Sequence, residues 1–215
     1  MSQSAPHSDT RDTDAASETG YAKSRDTRAR ILAAALEEAG ESGFHKTSVA
    51  KIAARAGVAL GSLNYHFGSR ALLIRELMRQ LLADYLPRVQ AAEDAAVEVG
   101  GDFFARERAV LLAYVAYVRE NPAYVRLPEE IRIHEPELYQ RGEAEWIKRM
   151  ADRLRLGIEE GAIRPMDDVD LAFKARVLIS ARVALERLFV DGESSMSDEA
   201  AVDAYLDFVR QGIAA

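Results

Sequence analysis

The 215-residue sequence contains no cysteine. That excludes a disulfide scaffold, thiol catalysis and a zinc site built on cysteine sulfur. Long apolar runs are missing too. The longest uncharged apolar stretch is the ten residues from Ala109 to Val118, whereas a membrane-spanning helix needs about 20. The first twenty residues are rich in Ser, Thr and Asp and hold no apolar block, so no secretory leader is expected and a cytoplasmic location is. Histidine is scarce, with four in the chain. Glu130 and His134 have the i,i+4 spacing of metal ligands on a helix, but a lone pair of this kind reads as a solvated face. No metal and no cofactor is expected. Gly-rich phosphate loops, serine elbows and paired carboxylates in apolar surroundings are also absent, so nothing points to catalysis.

What is present is apolar content of 48% and charged content of 29%, enough to bury a real core in one or two domains. The net charge of −7 argues against nucleic acid when taken as a single number. Its distribution argues differently. Residues 1–22 carry −3, residues 23–75 carry +5, and residues 76–215 carry −9. A small basic module joined to an acidic body is the pattern of a localised polyanion-binding surface.

The chain reads as helices throughout. Residues 1–22 lack apolar periodicity and are expected to be a disordered arm. From Ser24 onward Ile31, Leu32, Ala35, Leu36 and Ala39 form one helical stripe. Gly43 should end that helix as a left-handed cap, with Phe44 folding back on Ala39. Thr47 is placed as the N-cap of a short helix carrying Val49, Ile52 and Ala53. After Ala56-Gly57-Val58 a third short helix covers 59–67. Ser69 caps a fourth, which Pro87 should kink or end. Further helices are expected over 102–120, up to His134, from Pro136 to Gly161, over 167–190 and over 197–211. The fold class is all-α, with about nine helices.

Two short helices around a glycine turn, preceded by a packing helix, describe a helix-turn-helix. Its second helix should lie in a DNA major groove. Leu63 and Phe67 share the face that anchors this helix, while Gly61 and Tyr65 point almost opposite and Ser62 and Asn64 flank them. The outer face is therefore small, polar and uncharged. Gly61 costs a mid-helix position roughly 1 kcal/mol relative to Ala. Either DNA approaches closely there or a neighbouring helix does. Asn64 has the geometry for adenine and Leu60 suits a thymine methyl. Thr47, Tyr65, His66 and Arg70 all carry donors suited to phosphate oxygens, with Lys46 and Lys51 adding longer-range attraction.

The run Thr47-x4-Ile52-Ala53-x2-Ala56-Gly57-Val58, then Gly61-x3-Tyr65-His66-Phe67, Ser69-Arg70 and Leu72-Leu73 resembles the DNA-binding domain of TetR-family transcriptional regulators over about 50 residues. The resemblance implies DNA contacts from Thr47, Leu60, Gly61, Ser62, Asn64, Tyr65, His66 and Arg70. It implies a DNA-binding domain over 23–70 and an effector-binding and dimerisation domain over 71–215. Ala59 departs from the usual small hydroxyl residue that opens the recognition helix, and Arg70 stands where Lys is usual.

In the C-terminal part Ala172, Ala175, Ser180, Ala181 and Ala184 allow close helix approach. That fits packing within one chain or a four-helix bundle between two subunits, and the resemblance selects a homodimer through 167–190 and 197–211. Phe103, Tyr114, Tyr117, His134, Trp146, Met150, Phe173 and Arg176 are the candidates for a small-molecule pocket, although aromatics at helical spacing also make ordinary cores. The fourth helix, from Ser69 to Leu86, is the expected lever between the two sites, resting on Leu72 and Leu73 at one end and on Leu81 and Tyr85 at the other. The leading reading is a dimeric repressor released from a palindromic operator by an effector. An activator or a partner-controlled regulator with no pocket is the alternative. An all-α enzyme or carrier is more remote.

Overall fold

The computed structural model describes residues 11–190 and 195–215. Among the described residues there are nine α-helices and no strand. Helix α1 (Arg11–Ser42) ends at Gly43, which has the positive φ expected, 78°, but with ψ at 144° it is not the left-handed helical cap. A single 3₁₀ turn (Phe44–Lys46) follows and buries Phe44. Then come α2 (Val49–Arg55), α3 (Leu60–Phe67) and α4 (Arg70–Glu98). The remainder is α5 (Phe103–Glu120), α6 (Ala123–His134), α7 (Pro136–Glu159), α8 (Asp168–Val190) and α9 (Asp198–Ile213). Ser69, Asp102, Asp167 and Ser197 each accept from a backbone N–H in the first turn that follows.

Three local expectations are corrected. The polar segment expected as an arm over 1–22 is helical from Arg11, and residues 1–10 lie outside the described residues. A packed helix extends outward cheaply, because each added residue gains a hydrogen bond without a new nucleation cost. Pro87 neither ends nor bounds α4, which runs eleven residues past it to Glu98. One bond is lost there, while the flanking turns are held through α5: the Tyr117 hydroxyl donates to the Leu81 carbonyl at 2.8 Å. The N-cap of α2 is Ser48, whose hydroxyl accepts from the Lys51 N–H, and Thr47 faces inward.

The core begins under α3. Ile31, Ala35, Ile52, Leu63 and Phe67 pack with Leu73 and Leu77 of α4, and the same cluster continues through Tyr85, Tyr114, Tyr117, Tyr124 and Leu127 to Ile131. The division expected between residues 70 and 71 therefore cuts through continuous packing. A second cluster joins α5, α7, α8 and α9 around Phe103, Met150, Leu154 and Leu171. Gly157 lets α7 settle there, since a Cβ at that position would sit 2.6 Å from Ile163 Cδ1 and 2.8 Å from Phe103 Cδ2. No helix among the described residues is long and apolar enough to cross a membrane.

Candidate nucleic-acid interface

Helix α3 presents two faces. Leu63 and Phe67 are buried against α1 and α2, while Leu60, Gly61, Asn64 and Tyr65 are exposed and Ser62 and His66 half-buried. Tyr65 projects furthest, at 84% exposure, with its ring edge-on to His66 at 5.3 Å between centroids. A Cβ on Gly61 would meet nothing within 4 Å. Close packing against a neighbouring helix of this chain does not explain that glycine. Ala59 opens α3 with no side-chain cap, leaving the first N–H groups free to face an anion.

Two of the residues expected to contact DNA are engaged within the fold, Thr47 buried and Arg70 half-buried. The Thr47 hydroxyl donates to Glu38 Oε2 at 2.5 Å, so its one proton is directed inward. Arg70 donates to the carbonyls of Thr47, at 2.6 Å, and Phe44, with its guanidinium 4.3 Å above the Phe44 ring. A guanidinium has enough donors to brace a turn from beneath, and here that turn carries Thr47 into α2. Both residues hold the motif in shape.

Glu38, which was not singled out from the sequence, is the hub beneath it. It is fully buried, and Lys51 Nζ (2.6 Å), the Thr47 hydroxyl and Arg55 Nε (2.8 Å) converge on it. Those hydrogen bonds, from Lys51 first, hold its carboxyl below the usual carboxylate range. The signal was available: Glu38 lies seven residues after Ile31 and three after Ala35, on the buried stripe. Glu130 is likewise misread as solvated. It is buried on α6 beneath the helix-turn-helix, with His45 Nδ1 at 3.4 Å, His134 Nε2 at 3.6 Å and Arg70 Nη2 at 3.7 Å. Arg126 donates to the Gly40 carbonyl, and Arg75 Nε to Glu135 at 2.7 Å, so α6 is clasped to α1 and α4 as well.

The candidate pocket residues divide. Phe103 and Met150 line one narrow cavity and Tyr114 a second, each with about 10 Å³ open to the centre of a water-sized sphere. Tyr117 and Trp146 pack with Tyr85, Tyr114 and Tyr124 in an aromatic cluster that belongs to the core. His134, Phe173 and Arg176 do not join them. His134 is on the α6 clasp, Phe173 is 65% exposed on α8, and Arg176 is exposed, with Glu143 3.9 Å away. Helical spacing placed them near the others in sequence, but the phase of α8 turns Phe173 and Arg176 outward.

The family model for bacterial regulatory proteins of the tetR family matches residues 31–77, the segment that forms this interface. The HTH-type transcriptional repressor KstR2 of Mycobacterium tuberculosis is 32% identical over 154 residues, which cover 68% of this chain and 74% of the relative. The chain belongs to the TetR family. Solved structures of family members agree in fold: PfmR of Thermus thermophilus, a TetR family transcriptional regulator, is 28% identical with a TM-score of 0.64, over 85% of this chain and 97% of its own. The ketosteroid transcriptional regulator KstR2 of Mycobacterium tuberculosis gives 24% identity and the same TM-score, over 87% and 95%. As a TetR-family regulator this protein binds DNA to control transcription, and the matched relatives are regulators rather than enzymes.

Proposed function

We propose that the protein is a homodimeric repressor which occupies a near-palindromic operator until a small molecule enters its C-terminal helices. It acts by binding and not by catalysis, and it works in the cytoplasm where the operator lies. The observation that carries the DNA reading is the outer face of α3, where Gly61 has open space above it and Asn64 and Tyr65 stand exposed. In this reading Asn64 and Leu60 read base edges, while Ser62, Tyr65 and His66 hold phosphates. Thr47 and Arg70 contribute from beneath by shaping the turn. Residues 71–215 form the regulatory part.

The dimer reading is supported by an apolar stripe left open on the last two helices. Val169, Phe173, Val177 and Val183 are exposed along α8, with Ala172, Ser180 and Ala184 between them, and Phe208 is 73% exposed on α9. Exposed large apolar side chains gathered on two helices are the kind of surface that an interface covers. Two copies related by a two-fold axis would present their α3 helices to successive major grooves, about 34–36 Å apart. The relative KstR2 is named a repressor, and repression is carried over on that likeness.

The test is a gel-shift and anisotropy titration of the full chain against fragments flanking its own gene. One preferred, dyad-symmetric site bound by two chains is expected. Uniform affinity for every fragment, or none, would sink the proposal.

A further inference from the structure

Between the two narrow cavities lies a half-buried ionic cluster, centred on the buried Glu107, that the DNA interface does not use. Glu107 on α5 is buried and accepts from Arg153 Nε of α7 at 2.5 Å and from Arg182 Nη2 of α8 at 2.6 Å. Arg153 also donates to Glu93 of α4 at 2.9 Å. Two guanidiniums and two carboxylates thus cancel. One donor is left over. Arg182 Nε is sealed from solvent and has no hydrogen-bond partner, and Arg182 and Tyr205 line both cavities. The other walls of the first cavity are largely apolar: Phe103, Phe104, Met150, Leu154 and Leu178. Burial pushes the Tyr205 hydroxyl up, against the opposing pull of the Arg182 charge and of a side-chain hydrogen bond from Arg182, so it stands neutral beside this guanidinium and accepts from it, with Nε still unpaired.

A buried N–H without an acceptor is a cost that native interiors rarely carry. We infer that Arg182 Nε is the polar anchor of the effector site, and that the effector is an uncharged, mainly apolar molecule presenting one carbonyl or hydroxyl oxygen to it. This rests on the reading of the chain as an effector-controlled repressor. Charge balance selects the class. A ligand carboxylate would add an unmatched anion beside Glu107 and near Glu186, whose Oε1 accepts a hydrogen bond from the Tyr114 hydroxyl. A ligand cation would face two guanidiniums. A neutral acceptor satisfies the orphan donor and disturbs neither pair. The cavities are nearly closed, so such a molecule must wedge α8 and α9 away from α5 and α7. Those are the helices with the open apolar stripe, so entry of the ligand tilts the dimer interface and with it the spacing of the two α3 helices.

The test is calorimetric titration of the full chain with nonan-2-one, nonanoate and nonylammonium, three probes of one chain length. Saturable binding of the ketone, with the two ions at least tenfold weaker, is expected. Arg182→Lys keeps a positive charge on Glu107 but removes Nε. It should weaken the ketone about tenfold, the loss of one hydrogen bond. Should that variant fail to fold, Leu178→Trp fills the first cavity from its apolar wall and should abolish ketone binding. Nonanoate binding as tightly as the ketone, no binding of the ketone, or ketone binding indifferent to both variants overturns the inference. If operator binding persists in that case, the repressor reading stands and only this assignment falls. If the operator titration also fails, the repressor reading falls with it.

Discussion

At the scale of single residues, the interface separates side chains that face outward from those that brace the motif. Asn64→Ala should cost about 1–3 kcal/mol at the preferred operator and relax base preference there. Tyr65→Phe should weaken all sequences alike, since a phosphate contact carries no base information. Arg70→Ala belongs to neither class. Two of its donors are taken by the Phe44 and Thr47 carbonyls, so the substitution should lower the melting temperature and leave the salt slope of binding unchanged. A slope flattened by about one unit at unchanged stability would return Arg70 to the phosphate contacts.

Glu76 gives the acid response. Arg79, on the same helix, and Arg28 of α1 hold its carboxyl down to about 2 from an ordinary 4.5. A carboxyl with a depressed native value stabilises fully above its unfolded value and loses that contribution as pH falls. The window therefore runs from about pH 4.5 down to about pH 2, and Glu38, also lowered, acts in the same direction. Chemical denaturation followed across this range should show Glu76→Gln with a shallower acid limb, by up to about 1.4 kcal/mol per pH unit. Parallel limbs in the two proteins would refute the assignment.

At the scale of elements, α3 tests stability against function in one position. Gly61 is the second residue of α3 with open space above it, so Gly61→Ala should raise stability by up to about 0.5 kcal/mol, less than at a helix interior. The same methyl group stands where the duplex approaches, and operator affinity should fall. Thermal melts and gel shifts on one preparation read both effects. A variant that is less stable, or that binds as tightly as the parent, would count against the close-approach reading. Under the proposed effector control, helix α4 is the lever, with Leu73 and not Leu72 buried at its start. It is not the sole link. The clasp of Glu130 on α6 to His45 and Arg70 gives a second route from the regulatory helices to the turn before α2.

At the scale of the whole molecule, the open stripe on α8 and α9 predicts assembly. Phe208→Glu places a charge within the proposed two-fold contact, where burial without a partner is costly. Sedimentation should show a single chain of unchanged helix content with operator affinity reduced at least tenfold. A variant that remains dimeric would move the interface elsewhere. Ligand and operator must also oppose each other reciprocally, since coupling between two binding sites is symmetric.

The helices, their caps and the orientation of α3 were decided locally. Ser69, Asp167 and Ser197 cap where the sequence puts them, and Leu63 and Phe67 turn inward because a 3.6-residue period leaves no other face for them. Their partners lie within a few residues or in the adjacent helix, so the chain alone suffices. Other assignments depend on which helices meet, and periodicity is silent about that. Arg70 becomes a strut because the Phe44–Lys46 turn lies against the start of α4. Glu130 is buried because α6 docks under that turn. Phe173 is exposed because α8 uses its other side for the core. The Glu107–Arg153–Arg182 cluster draws on three helices, its arginines separated by 46 and 75 residues from Glu107. Long-range juxtaposition of charged groups, each ordinary on its own helix, was decided only by tertiary packing, because burial fixes what a charge costs and which partner it must have.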